Sequence, residues 1–128
     1  MTRPVVLSVG LDPTMINFSD PAYGAFPGMT AEKVMAGLNR DVTTLNGLGY
    51  DASLCLVDFG ETAEAVLTAA LAERAYNCIM IGAGVRLIAQ NTPLFEKLIN
   101  IVHRHAPDAK LCFNTRPDDT ADAVRRWV

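Results

Sequence analysis

The sequence predicts a three-layer α/β domain: an open, mainly parallel four-stranded sheet with helices on both faces. Two patterns carry that prediction. Short, nearly continuous apolar runs rich in β-branched residues alternate with longer segments whose apolar positions recur every three or four residues. The alternation repeats along the whole chain, and a strand–helix repeat of this kind builds a parallel sheet buried on both faces. Size is the third observation. A chain of 128 residues matches one ordinary domain, so residues 1–128 are read as one unit.

Val5-Val6-Leu7-Ser8-Val9-Gly10-Leu11 is the first strand, apolar enough to be covered on both sides. From Thr30 to Leu48 the residues Ala31, Val34, Met35, Leu38, Val42 and Leu45 form one helical stripe. Glu32, Lys33, Arg40 and Asp41 are read as lying largely off it. Thr30 supplies the N-cap hydroxyl, and Gly47 and Gly49 end the helix by allowing left-handed backbone. Ala52 to Phe59 is the second strand, with Leu54, Leu56 and Phe59 packing. Glu61 to Arg74 is a helix facing inward through Ala63, Val66, Leu67, Ala70 and Leu71. Cys78-Ile79-Met80-Ile81 is the third strand, stopped by Gly82-Ala83-Gly84. Thr92-Pro93 reads as N-cap and first helical position of a helix reaching His105. Lys110 to Asn114 is the fourth strand, and Asp118 or Asp119 caps a last helix through Trp127. The third strand reads as internal, which favours the order 2-1-3-4 over 3-2-1-4.

Composition excludes several classes. Half the residues are apolar and 20% are charged, which is not the balance of a disordered chain. Eleven basic against 14 acidic side chains give a net charge of −3, without the basic surplus that nucleic-acid binding demands. The apolar runs are strand-sized, too short to cross a membrane, and no signal-peptide pattern opens the chain. Cys55, Cys78 and Cys112 form no C-x-x-C pair and sit in or beside strand-like runs, so they read as buried free thiols. A cytoplasmic address follows as the expectation. His103 and His105 lie two apart on a helix, hence on different faces, and no metal site is expected.

Ligands of open α/β sheets sit at the carboxyl ends of the strands, near the point where strand order reverses. Asp12 to Met29, after the first strand, is far longer than an ordinary strand–helix connection. It carries Phe18, Tyr23, Phe26, Thr14, Asn17, Ser19 and Asp20, the composition of a packed lid, a hydrophobic cover or a dimer contact. Asp12 and Asp58 end strands there and suit proton transfer or loop capping. Gly82 and Gly84 suit close backbone approach to a ligand or a positive-φ exit turn. Arg86 and Arg116 follow neighbouring strands and suit an anion cleft, or local salt bridges such as Arg116 with Asp118 or Asp119. Asn114 and Thr115, with Gln90 and Asn91, offer neutral hydrogen bonds beside them. No P-loop or G-x-S-x-G elbow occurs.

Over its length the pattern resembles small single-domain Rossmann-like and flavodoxin-like bacterial proteins, flavodoxins and receiver domains among the type. Receiver domains carry adjacent acids after the first strand, a phosphoacceptor aspartate after the third and a late lysine. Leu11-Asp12-Pro13, Gly82 and Arg116 stand at those places here. Flavodoxins use a Thr/Ser/Gly-rich phosphate loop, whereas Asp12-Pro13-Thr14-Met15-Ile16-Asn17 holds no glycine. What the resemblance implies is therefore the fold, with no functional residue carried over.

The leading expectation is a domain binding a small polar or anionic ligand under the 12–29 segment. Its site would comprise Asp12, Thr14, Asn17, Asp58, Gly82, Gly84, Arg86, Asn114, Thr115 and Arg116, with no cofactor named. One alternative is a homo-oligomeric interaction module, a homodimer in the first instance, suggested by the apolar pairs Leu94-Phe95, Leu98-Ile99 and Ile101-Val102. The other is a hydrolase or transferase using Asp12 or Asp58 as base.

Overall fold

The computed structural model describes residues 2–24 and 27–128. Its sheet is parallel throughout: β1 (Val5–Leu11), β2 (Asp51–Val57), β3 (Cys78–Ile81) and β4 (Lys110–Phe113) lie in the order β2-β1-β3-β4. The α-helices are α1 (Ala31–Gly47), α2 (Ala63–Glu73), α3 (Ala83–Arg86), α4 (Thr92–His105) and α5 (Thr120–Arg125). The order 2-1-3-4 holds, with β3 buried along its whole length.

One core lies between the sheet and α2 and α4. There Leu7, Val9, Leu11, Cys55, Val57, Ile79 and Ile81 meet Leu67, Leu71, Leu94, Leu98 and Val102. The second is thinner and lies under α1 and α5, where Val6, Ala52, Cys78, Met80 and Cys112 meet Leu45, Tyr50, Ala123 and Val124. Strand alternation sorts the residues: odd positions of β1 and β3 face the first core and even positions the second.

α1 begins as expected, with the Thr30 hydroxyl accepting from the Lys33 N–H. Its end is a Schellman motif. Gly49 takes φ +99, the Gly49 N–H donates to the Asn46 carbonyl, and the Tyr50 N–H donates to the Leu45 carbonyl. Gly47 is simply the last helical residue. The Arg3 guanidinium occupies further carbonyls at this end, those of Asn46, Gly49 and Tyr50.

Several expected details differ. β2 runs from Asp51 and stops at Val57, leaving Phe59 beyond the ladder and 45% exposed. Leu54 and Leu56 are only half-buried, on an edge strand. Val66 is 38% exposed, because one residue's 100° turn separates it from inward Leu67. Thr92 is already helical (φ −55, ψ −45), since a 3₁₀ turn over Ala89–Asn91 runs directly into α4. Asn91 is therefore the cap residue and Pro93 stands at the second helical position. The last helix ends at Arg125 rather than near Trp127.

The apolar pairs of α4 are accommodated within the chain. Leu94, Leu98, Ile101 and Val102 are buried, while Phe95 and Ile99 pack against the same core. Phe95 meets Phe113 edge to face at 5.9 Å. The three cysteines are buried free thiols; burial, with Glu73 nearby, pushes Cys55 up to about 11. Among the described residues, no helix is long and apolar enough to cross a membrane, and no group of three or more His, Cys, Asp or Glu is arranged to hold a metal.

Candidate functional site

The carboxyl end of the sheet opens into a cleft of about 390 Å³ on the α1/α5 face. Its floor is the end of β1 (Gly10, Leu11), Met80 of β3 and Gly82 just beyond that strand. This is the strand pair where the order reverses, because the chain passes from β1 outward to β2 and then back across to β3. Val34, Gly37, Leu38 and Asp41 of α1 form one wall. Ala83, Gly84, Val85, Leu87 and Ile88 form the opposite one, and Asn114 to Asp118 close the end. Ile16, Phe18, Tyr23 and Met29 form the roof. The lining is predominantly apolar.

Local chemistry shapes the roof. Two 3₁₀ turns, Pro13–Met15 and Pro21–Tyr23, each begin with an Asp–Pro pair in which the carboxylate caps the turn. Asp12 Oδ1 accepts from the Thr14 N–H and hydroxyl, at 3.0 and 2.7 Å, and Asp20 Oδ1 accepts from the Ala22 N–H at 2.9 Å. Asn17 Oδ1 accepts from the Ser19 N–H. Phe18 and Tyr23 then stack edge to face with centroids 5.6 Å apart. The segment is thus a self-capped structure, and Phe26 lies outside the described residues.

Of the residues expected at the site, Gly82, Gly84, Asn114, Thr115 and Arg116 line the cleft. Asp12, Thr14, Asn17, Asp58 and Arg86 are not among its lining. Asp58 caps the start of α2 by accepting from the N–H groups of Gly60, Thr62 and Ala63 and from the Thr62 hydroxyl. Those donors, Gly60 first and the Thr62 hydroxyl next, hold its carboxyl below the ordinary value. Arg86 turns back into the fold. Its Nε donates to the Ile81 carbonyl at 3.0 Å and its Nη2 to the Asn114 carbonyl and to Asn114 Oδ1, with Phe113 under the guanidinium. Burial lowers its pKa, although the group stays charged.

Arg116 and Asp118 form an exposed ion pair at 2.6 Å. The Asp119 carboxylate makes no bond to the helix it precedes; it accepts instead from Thr115 and Arg116 and so fixes the β4 exit. Burial opposes its ionisation, but the Thr115 hydroxyl and the Arg116 and Thr115 N–H groups outweigh it and hold its carboxyl below the usual range. Neither glycine of the Gly82–Gly84 pair uses positive φ, which among the described residues belongs to Gly28, Gly49 and Gly60. At Gly82 the backbone passes so close to β1 that a Cβ would stand 3.4 Å from the Val9 carbonyl oxygen. Asn91 donates to the Gly84 carbonyl at 3.2 Å rather than to a ligand position, and Gln90 is exposed.

The charged residues that α1 brings to the cleft, and its Gly37, escaped the sequence reading. Lys33 and Arg40 stand exposed at the rim, Gly37 leaves the α1 wall thin, and Asp41 is half-buried inside. Burial raises the Asp41 carboxyl against the opposing pull of the Thr120 hydroxyl and Arg40; Asp118 and Asp119 raise it further. The signal was present: Val34, Leu38, Asp41 and Leu45 fall at i, i+4, i+7 and i+11, a polar residue on an apolar stripe. Compared with known proteins, the chain matches no family model and no curated protein.

Proposed function

We propose that this chain is a small-molecule-binding domain whose ligand lies in the cleft at the carboxyl edge of the sheet, beneath Ile16, Phe18, Tyr23 and Met29. One observation carries the reading: a cleft of about 390 Å³ stands at the strand-order reversal, apolar inside and edged by a few polar groups. Its lining redirects the expectation of a compact polar or anionic ligand. Arg86 is committed to carbonyl oxygens and Arg116 to Asp118, so the walls favour a ligand with an apolar body. A hydrolase or transferase acting through Asp12 or Asp58 gains no support, because both carboxylates serve neighbouring N–H and O–H donors.

The test uses methionine methyl NMR. Met29 and Met80 line the cleft and Met35 does not, so a panel of one- and two-ring compounds should move the first two signals and spare the third. A panel that moves neither overturns the reading. A second copy of the chain over the mouth is the other proposal. It is favoured by Leu87, which lines the cleft and is 53% exposed. Light scattering that gives a dimer, abolished by Leu87→Ser, would select it.

A further inference from the structure

Asp41 ends a hydrogen-bond chain that runs through two buried side chains, Asn114 and Thr120. Arg86 Nη2 donates to Asn114 Oδ1 at 3.1 Å, Asn114 Nδ2 donates to Thr120 Oγ1 at 3.2 Å, and Thr120 Oγ1 donates to Asp41 Oδ2 at 3.0 Å. Asn114 and Thr120 are 5% and 1% exposed. The direction of the chain is forced. A guanidinium only donates, which turns the Asn114 oxygen toward Arg86 and its NH₂ toward Thr120. The Thr120 hydroxyl, accepting there, has one hydrogen left, and it goes to Asp41. One carboxyl oxygen is therefore held by the fold.

The other oxygen, Oδ1, accepts no hydrogen bond among the described residues. No unpartnered side-chain polar atom among them is sealed from solvent, so Oδ1 keeps contact with solvent, and Asp41 is one of the residues that line the cleft. No ion pair joins Asp41 to Arg40. The cations at this end are otherwise engaged or outside: Lys33 donates to the Gly28 carbonyl at 3.0 Å, Arg116 pairs with Asp118, and Lys33, Arg40 and Arg116 are all exposed. The inside of the cleft thus offers an acceptor with negative charge, while positive charge stands at the rim.

We infer that Asp41 is the specificity-determining residue of the cleft, and that the ligand is a compact amine: a ring-sized apolar body carrying a protonated nitrogen for the free Asp41 oxygen. The inference rests on the cleft being the ligand site. A half-buried carboxylate against apolar walls lacks part of its hydration, and an ammonium N–H restores it with a charge-assisted hydrogen bond. The buried chain behind it fixes the oxygen before the ligand arrives, which reduces the ordering cost of binding.

Three matched probes test this: 2-naphthylmethylamine, 2-naphthoate and neutral 2-methylnaphthalene, titrated by the Met29 and Met80 methyl signals. The amine should bind about 10-fold tighter than the naphthoate, the scale of one charge-assisted hydrogen bond. Asp41→Asn keeps an acceptor for Thr120 and should remove that preference. In the unsubstituted protein the Asp41 carboxyl ¹³C signal should move with the amine and stay with 2-methylnaphthalene, a readout independent of how the variant folds. Equal binding of amine and naphthoate, or a static Asp41 carboxyl, overturns the inference while 2-methylnaphthalene binding upholds the cleft. Failure of all three probes removes both.

Discussion

On the α2/α4 face, β1 presents Leu7, Val9 and Leu11 and β3 presents Ile79 and Ile81. On the α1/α5 face the same strands present Val6, Ser8 and Gly10, then Cys78 and Met80, with Gly82 just past the end of β3. Toward the carboxyl edge one face keeps its volume and the other dwindles to glycine. The helices follow the same division. α2 and α4 lie against each other over a filled core. α1 packs over edge strand β2, and α5, only six residues long, covers β3 and β4. The middle of that face is left uncovered where the strands end. The difference teaches that the cleft has two sources, small side chains on alternate strand positions and the short cover that α5 provides.

The largest test of this contrast compares two leucines facing the sheet. Leu98 on α4 is fully buried, so Leu98→Ala should cost about 3–5 kcal/mol, transfer plus cavity. Leu38 on α1 borders an existing cleft and is half-buried, so Leu38→Ala should cost only about 1 kcal/mol. Urea unfolding of both variants measures the gap, and equal losses would mean that the α1 face is as tightly packed as the other.

Much of this contrast was legible beforehand, and the part that was not has physical reasons. The β1 sequence already shows Val6-Ser8-Gly10 shrinking on one face, and the doubly apolar β3 sets the strand order. Thr30 and Gly49 act at the ends of α1 as their chemistry requires. Arg86 could not be placed, because a guanidinium after a strand serves a ligand or the strand's own carbonyls equally well. Only the fold shows that Ile81 and Asn114 take it. Asp41 was misplaced for a different reason: a half-turn stripe drawn through apolar residues alone omits a carboxylate at the same angle. Asp58 and Asp119 occupy strand exits where the crossing N–H groups need an acceptor, which is why they cap loops and do not enter the cleft.

A smaller effect separates the helices by glycine. α2 and α4 contain none, whereas α1 carries Gly37 in mid-helix with nothing within 4 Å of where its Cβ would stand. Gly37→Ala should therefore stabilise the protein by about 0.5–1 kcal/mol, the ordinary helix preference. Gly37→Phe should fill the cleft and abolish probe-induced shifts of Met29 and Met80 without unfolding the chain. Persistent binding in Gly37→Phe would show that the probes sit elsewhere.

The smallest effect sets one carboxylate from each side against the other in their response to pH. Asp58, at the start of α2, is held below its ordinary 3.8 by the Gly60 N–H, the Thr62 hydroxyl and its other donors. Its contribution is present in full above the unfolded value and is lost as pH falls through the lower folded one. Asp41, on α1, is raised above 3.8 by burial, so ionising it weakens the folded state, and that penalty disappears once pH drops below the unfolded value. Asp58→Asn should thus lower the melting temperature at pH 7, by an amount that shrinks on acidification. Asp41→Asn should raise it slightly at pH 7, and this gain also fades as pH falls through the folded value. The two difference curves approach zero from opposite sides on acidification, Asp41 at a higher pH than Asp58. If both variants lower the melting temperature at pH 7, Asp41 is a stabilising partner of Thr120 in the manner of Asp58. The open face would then hold no carboxylate in want of a cation.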